Sequence, residues 1–278
     1  MSRFVFVLLI AFIFTGSLVA VEIPAAARKG TPGSYELVSS QRAQLLGGAP
    51  VRGKLVIPAG VQRGKAELMV FFHGATGNKA YYQNSVSFLE RWAARDGFVL
   101  LSMQNPYGFA RTASRETSVS IGDAIFAGAE VARAVGKAGI VDEDRIYAIG
   151  FSAGGMVASL SLTKQPDVFA GIGSFHGNFQ YPGFFYGERS REQDATGAIY
   201  FEDDYETGMK KLKKQLRGKT AFLCVGGRDI PRVITQAAEA RDFFKDIFPM
   251  VKLTYKTYPA EGHQFTEANW RDFLATIR

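Results

Sequence analysis

From about residue 50 onward, short apolar runs alternate with longer stretches of helical spacing, and this alternation constrains the fold more than any other feature. Residues 55–57, 67–72, 98–101, 145–149, 168–174, 220–225 and 253–258 read as strands. Residues 88–94, 121–138, 155–163, 233–248 and 267–277 carry helical spacing. The run 67–72 is apolar almost throughout rather than alternating, as a strand covered on both faces requires. Strands that alternate with helices build a mostly parallel sheet, because parallel neighbours need long crossover connections. The expectation is one α/β unit with a doubly wound sheet. Such a sheet places its site beyond the carboxyl ends of the strands, so informative residues should fall just after strands.

They do. The strand at 145–149 runs into Gly150-Phe151-Ser152-Ala153-Gly154, a G-x-S-x-G pattern, and a helical stretch follows. A chain that reverses from strand to helix within a few residues holds its serine in a strained backbone with Oγ exposed. Gly150 and Gly154 leave room where the two limbs of the turn approach. The pattern alone is common in a chain with 30 Gly; the strand before it and the helix after it give it meaning.

Serine is a weak nucleophile at neutral pH and needs a base. The chain has three histidines, at 73, 176 and 263. In a strand–turn–helix site of this kind the order along the chain is serine, acid, histidine. His176 leaves too little chain after Ser152 for an acid-bearing strand, so His263, just past the last strand, is the expected base. The acid should follow the penultimate strand, where Gly226-Gly227-Arg228-Asp229 stands, and Asp229 is the expected orienter of His263. Asp203 and Asp204 precede a helical stretch instead, and Glu261 is only two residues from His263. The strand at 67–72 ends in His73-Gly74-Ala75, where an oxyanion donor belongs. The backbone N–H groups of Ala75 and Ala153 are the expected pair, with His73 bracing the loop. Tyr107 and Phe109 follow another strand and are candidate substrate contacts.

The N-terminus reads differently. Arg3 precedes an uncharged apolar run from Phe4 to Phe14, followed by Thr15, Gly16, Ser17 and Ala20. This is the layout of a secretory signal peptide over residues 1–20, with Ala25-Ala26-Ala27 as a second cleavage site. The competing reading is an uncleaved membrane anchor, since 4–21 approaches the length of a span. Export points to a secreted or periplasmic protein with no stable membrane insertion after cleavage. Residues 28–278 are then a single domain. One cysteine, Cys224, excludes an intramolecular disulfide and lies in an apolar run as a buried strand residue. The net charge of +7 is mostly scattered. Its one cluster, Lys210, Lys211, Lys213, Lys214 and Arg217, reads as a solvated helix face, and no nucleic-acid motif accompanies it.

Together, Phe71-Phe72-His73-Gly74, the stretch 141–155 with its double glycine after the serine turn, Gly227-Arg228-Asp229 and Gly262-His263 resemble the esterase/polyhydroxybutyrate-depolymerase family of α/β-hydrolases, which includes feruloyl and acetylxylan esterases. The resemblance spans about residues 50–278. It implies an α/β-hydrolase fold and a serine esterase with triad Ser152, Asp229 and His263. It implies no metal or organic cofactor, and a small-molecule or polymeric ester as substrate. The chain departs from the family in two places. A cysteine often follows the His-Gly pair, where this chain has Ala75. The segment 177–206 is rich in aromatics, including Phe179, Tyr181, Phe184, Phe185, Tyr186 and Tyr200, and reads either as a lid or as a surface insertion. Rival readings are a serine peptidase of the same fold and an inactive hydrolase fold that binds a polymer.

Overall fold

A computed structural model describes residues 21–76, 80–84, 86–106, 115–177 and 205–278. The apolar N-terminal run, Tyr107, Phe109, Asp203, Asp204 and nearly all of the 177–206 segment lie outside the described residues. Eight strands form one sheet: β1 (Gly33–Ala43), β2 (Ala49–Ile57), β3 (Leu68–Phe72), β4 (Val99–Met103), β5 (Ile146–Phe151), β6 (Gly171–Phe175), β7 (Thr220–Gly226) and β8 (Lys252–Tyr258). Their spatial order is β1-β2-β4-β3-β5-β6-β7-β8. The first three in that order pair antiparallel, and from β4 onward every pair is parallel.

The described helices are α1 (Ala25–Arg28), α2 (Tyr81–Asn84), α3 (Ser87–Asp96), α4 (Arg115–Lys137), α5 (Ala153–Lys164), α6 (Tyr205–Gln215), α7 (Pro231–Ile247) and α8 (Glu267–Ile277). Side chains alternate across a strand, so each central strand feeds two cores. In β3, Leu68, Val70 and Phe72 pack with Val131 and Val135 of α4 and Val157 of α5, in the core that also takes in Val233 of α7. Met69 and Phe71 join Leu89 of α3 and Trp270 and Phe273 of α8. The sheet is therefore covered on both faces, as the apolar runs anticipate. Among the described residues no helix is long and apolar enough to cross a membrane.

Several elements differ from the sequence reading, among them β2, which begins at Ala49 rather than at residue 55. The run at 168–174 becomes strand only at Gly171; Val168 and Phe169 are buried in the turn before it, contributing apolar area without ladder pairing. The helix expected from 121 begins at Arg115. β1 was not foreseen: it is an edge strand whose buried positions are Leu37, Ser39 and Ala43, so its hydrophobic pattern is sparse. The lysine cluster behaves as its spacing implies. Leu212 and Leu216 are buried, whereas Lys210, Lys211, Lys214 and Arg217 are exposed. Cys224 is fully buried in β7, and burial pushes its thiol pKa up, which keeps it protonated.

Candidate active site

The serine turn sits where β5 passes into α5. Ser152 has φ of 56°, one of two non-glycine residues with left-handed φ among those described. For an L-residue that conformation is strained. The strain is held by packing on all sides. A Cβ on Gly154 would lie 1.9 Å from the Phe72 carbonyl oxygen, and one on Gly150 would lie 2.1 Å from the Gly154 carbonyl oxygen. Both distances are far inside contact, so the pattern's two glycines are required by backbone approach. Gly155, the second of the double glycine, closes against Gly177 and Ser174 in the same way. The Ser152 N–H donates to the Phe175 carbonyl at 3.0 Å, which ties the turn to the neighbouring strand.

The loops after β7 and β8 bring the other two members in. A Cβ on Gly226 would lie 2.3 Å from the Glu261 carbonyl oxygen, and the Arg228 N–H donates to that same oxygen at 2.9 Å. The two loops are thus packed backbone to backbone. Asp229 is buried, and His263 keeps its side chain 24% exposed. His263 Nδ1 lies 2.7 Å from Asp229 Oδ1, and Nε2 lies 2.9 Å from Ser152 Oγ. A carboxylate only accepts, so Nδ1 carries the proton and Nε2 turns its lone pair to the serine hydroxyl. The structure therefore brings Ser152, His263 and Asp229 into one hydrogen-bonded chain. Phe151 packs its ring 5.0 Å from the His263 ring and limits its rotation.

The β3 loop supplies the next wall. A Cβ on Gly74 would lie 3.3 Å from Ser152 Cβ, so the backbone leading to Ala75 runs against the nucleophile. His73 is fully buried beneath it. The Asn105 N–H donates to His73 Nε2 at 3.1 Å, and the Asn105 side-chain amide donates to the His73 carbonyl at 2.8 Å. Because Nε2 accepts, Nδ1 is the protonated nitrogen and donates to the Gly74 carbonyl at 2.7 Å. That carbonyl belongs to the same planar peptide as the Ala75 N–H, so His73 sets the direction of the expected oxyanion donor. Burial lowers the His73 pKa to about 4, which keeps the ring neutral, as this pattern demands. On the other side, Ala153 is the first residue of α5 and its N–H has no acceptor within the helix.

Two residues were missed by sequence reasoning. His176, left without a role there, is fully buried and places Nδ1 2.6 Å from Asp229 Oδ2. Its position just after β6 was the available signal. Glu261 accepts from the Thr266 hydroxyl at 3.0 Å and the Asn269 side-chain amide at 2.9 Å, anchoring the loop that carries His263. His176, Asp229 and His263 also form the one described group with metal-ligand composition, their ligand atoms lying within 4.8 Å of one another. Both histidines already spend Nδ1 on the carboxylate, so the set is used up as a hydrogen-bond network.

Comparison with known proteins agrees with this geometry. The prolyl oligopeptidase family pattern matches residues 122–276, and the esterase PHB depolymerase pattern matches residues 52–189. A 60-residue stretch is 47% identical to the "Putative esterase NocK" of Nocardia uniformis subsp. tsuyamanensis and covers 22% of this chain and 17% of that protein. A ferulic acid esterase from Anaeromyces mucronatus superposes with a TM-score of 0.60 at 12% identity, over 88% of this chain and 89% of the other. An acetyl xylan esterase from Paenibacillus sp. R4 gives 0.56 at 16% identity, over 88% and 83%. A "putative dipeptidyl aminopeptidase IV" from Bacteroides ovatus gives 0.59 at 16% identity, over 88% of this chain but 35% of that one. The chain thus spans about a third of that peptidase and a smaller share of the curated relative. With its sheet order, its serine turn and both sequence patterns in agreement, the chain has an α/β-hydrolase fold, carries the esterase PHB depolymerase pattern over residues 52–189, and belongs to the prolyl oligopeptidase family.

Proposed function

We propose that the protein is an exported serine esterase that cleaves carboxylic esters through an acyl-serine intermediate. The observation that carries this is the hydrogen-bonded chain from Ser152 Oγ through His263 to Asp229. Ser152 Oγ attacks the ester carbonyl while its proton passes to His263 Nε2. The carbonyl oxygen becomes an anion facing the N–H groups of Ala75 and Ala153, whose fixed direction favours the tetrahedral state over the ground state. When the C–O bond to the alcohol breaks, His263 returns the proton to the leaving oxygen. Water then attacks the acyl-serine by the same route, releasing the acid and restoring Ser152. Asp229 remains ionised, holding the imidazole tautomer and stabilising the imidazolium.

The substrate class we assign is plant-polysaccharide acyl esters or polyhydroxyalkanoate-type esters. Its support is the esterase PHB depolymerase pattern over residues 52–189, with fold-level likeness to a ferulic acid esterase and an acetyl xylan esterase. Export is supported by the layout of residues 1–20. Val21 packs against the core, and Ile23 and Ala27 are buried in it, which favours cleavage after Ala20 over cleavage near 27. The prolyl oligopeptidase pattern over 122–276 favours a second reading, a serine peptidase.

A fluorophosphonate probe should label the wild type and fail to label Ser152→Ala. Equal labelling of the two sinks the proposal. A panel of acetyl, butyryl, feruloyl and hydroxybutyrate esters set beside peptide substrates separates the two readings. Peptide cleavage without ester cleavage selects the peptidase.

A further inference from the structure

The non-glycine residues with left-handed φ among those described are Ser152 and His176, at 56° and 51°. They follow adjacent parallel strands, and the Ser152 N–H donates to the carbonyl of Phe175, the residue before His176. A side chain with a Cβ held there strains the backbone, and such strain persists only where the surroundings over-determine it. For Ser152 the strain presents the nucleophile. For His176 it must be explained by where it sends the imidazole.

The ring is fully buried and points at the triad acid. His176 Nδ1 lies 2.6 Å from Asp229 Oδ2, while Asp229 Oδ1 accepts from His263 Nδ1 at 2.7 Å and from the Ile230 N–H at 2.6 Å. The Gly226 N–H also lies 3.3 Å from His176 Nδ1. The shorter contact decides the tautomer, because an ionised carboxylate cannot donate, so Nδ1 carries the proton and gives it to Oδ2. A carboxylate held on one oxygen alone can still turn about its terminal bond, since that torsion is soft. Held on both oxygens it cannot. The His176 and His263 rings stand at 87° to each other across the carboxylate, so two perpendicular planes fix its orientation. The backbone adds rigidity: the His176 N–H donates to the Cys224 carbonyl at 3.0 Å.

We propose that His176 is the positioning residue of the triad acid, holding Oδ2 of Asp229 so that Oδ1 meets His263 in the orientation proton transfer requires. The proposal rests on the serine-esterase reading above. His176 makes no hydrogen bond to the nucleophile; its Nε2 stands 3.7 Å from Glu261 Oε2, beyond hydrogen-bond reach, and its short contact is the one to Asp229, through which its effect on the reaction passes. It sets the turnover step and leaves substrate binding alone.

The test uses His176→Gly and His176→Asn in the full chain. Both residues tolerate left-handed φ, so both variants keep the backbone. Asn places its Nδ2–H where His176 has Nδ1–H, whereas Gly removes the donor. His176→Gly should lose about 10- to 100-fold in kcat with KM within about twofold, in line with the cost of a misplaced catalytic group. His176→Asn should recover most of the loss. In an Asp229→Ala background, adding His176→Gly should cost no more than about twofold further, because residues acting as a unit are non-additive. Thermal melting of each variant checks that the comparison is between folded proteins. Full kcat in His176→Gly, equal loss in His176→Asn, or an undiminished loss in the Asp229→Ala background overturns the proposal. Wild type that neither takes the fluorophosphonate probe nor cleaves esters overturns the esterase reading and this one with it; wild type that does both while His176→Gly keeps full kcat overturns this one alone.

Discussion

At the scale of single residues, the three histidines illustrate how one side chain type is divided among tasks by its surroundings. His263 is partly exposed and faces the nucleophile; His73 and His176 are fully buried. His73 is a case where burial decides the charge state. Its folded pKa is lowered to about 4 from 6.5 by desolvation. Between those values the unfolded chain binds the proton and the folded chain does not, so stability rises with pH across that window. The contribution is fully present above pH 6.5 and is lost as the pH falls towards 4. Its upper limit is about 3 kcal/mol, from a shift of roughly 2.5 units at 1.36 kcal/mol each. Urea unfolding of wild type and His73→Gln at a series of pH values should show the stability gap between them narrowing as the pH falls from 6.5 to 4.5. A gap that stays constant or widens contradicts the neutral, buried ring.

At the scale of elements, the site is made by junctions. Each functional side chain sits within four residues of a strand's carboxyl end, or on the loop that follows it. α8 shows how a helix start steadies such a loop. Thr266 is its N-cap, accepting from the Asn269 N–H at 3.3 Å while the Asn269 side chain accepts from the Thr266 N–H at 3.0 Å. The same two side chains also hold the Glu261 carboxylate. The capping box is therefore coupled to the loop between β8 and α8, on which His263 stands. Thr266→Ala should cost about 1 kcal/mol of stability, the usual worth of an N-cap. Denaturant unfolding reads that directly; Thr266→Ser should restore it, since the hydroxyl is what caps. The strand and helix order along this region was legible from apolar runs and helical spacing. The cap was not, because Thr-x-x-Asn has the shorter Asn where Glu or Gln usually signals a capping box.

At the scale of the whole molecule, the end of the sheet away from the site carries a different network. Glu67, just before β3, is 4% exposed at its side chain and pairs with Arg145 and Arg278. Arg278 also donates to the Asp96 carbonyl at 2.9 Å. This ties the starts of β3 and β5 to α3 and to the residue after α8, at the amino ends of the parallel strands and far from Ser152. Glu67→Ala should cost about 2 kcal/mol, the range for hydrogen bonds to charged groups, while kcat/KM measured well below the melting temperature stays within twofold. A loss of activity at unchanged stability contradicts this separation. The amino-acid sequence by itself determined the layered α/β architecture, the serine turn and the order of its partners. Strand periodicity and the glycines demanded by close backbone approach are local properties of a chain. The second histidine on Asp229, the perpendicular hold on its carboxylate and the Glu67 clamp were decided only in three dimensions. They join residues 53, 78 and 211 positions apart, at separations where spacing carries no signal and only the register of neighbouring strands brings side chains together.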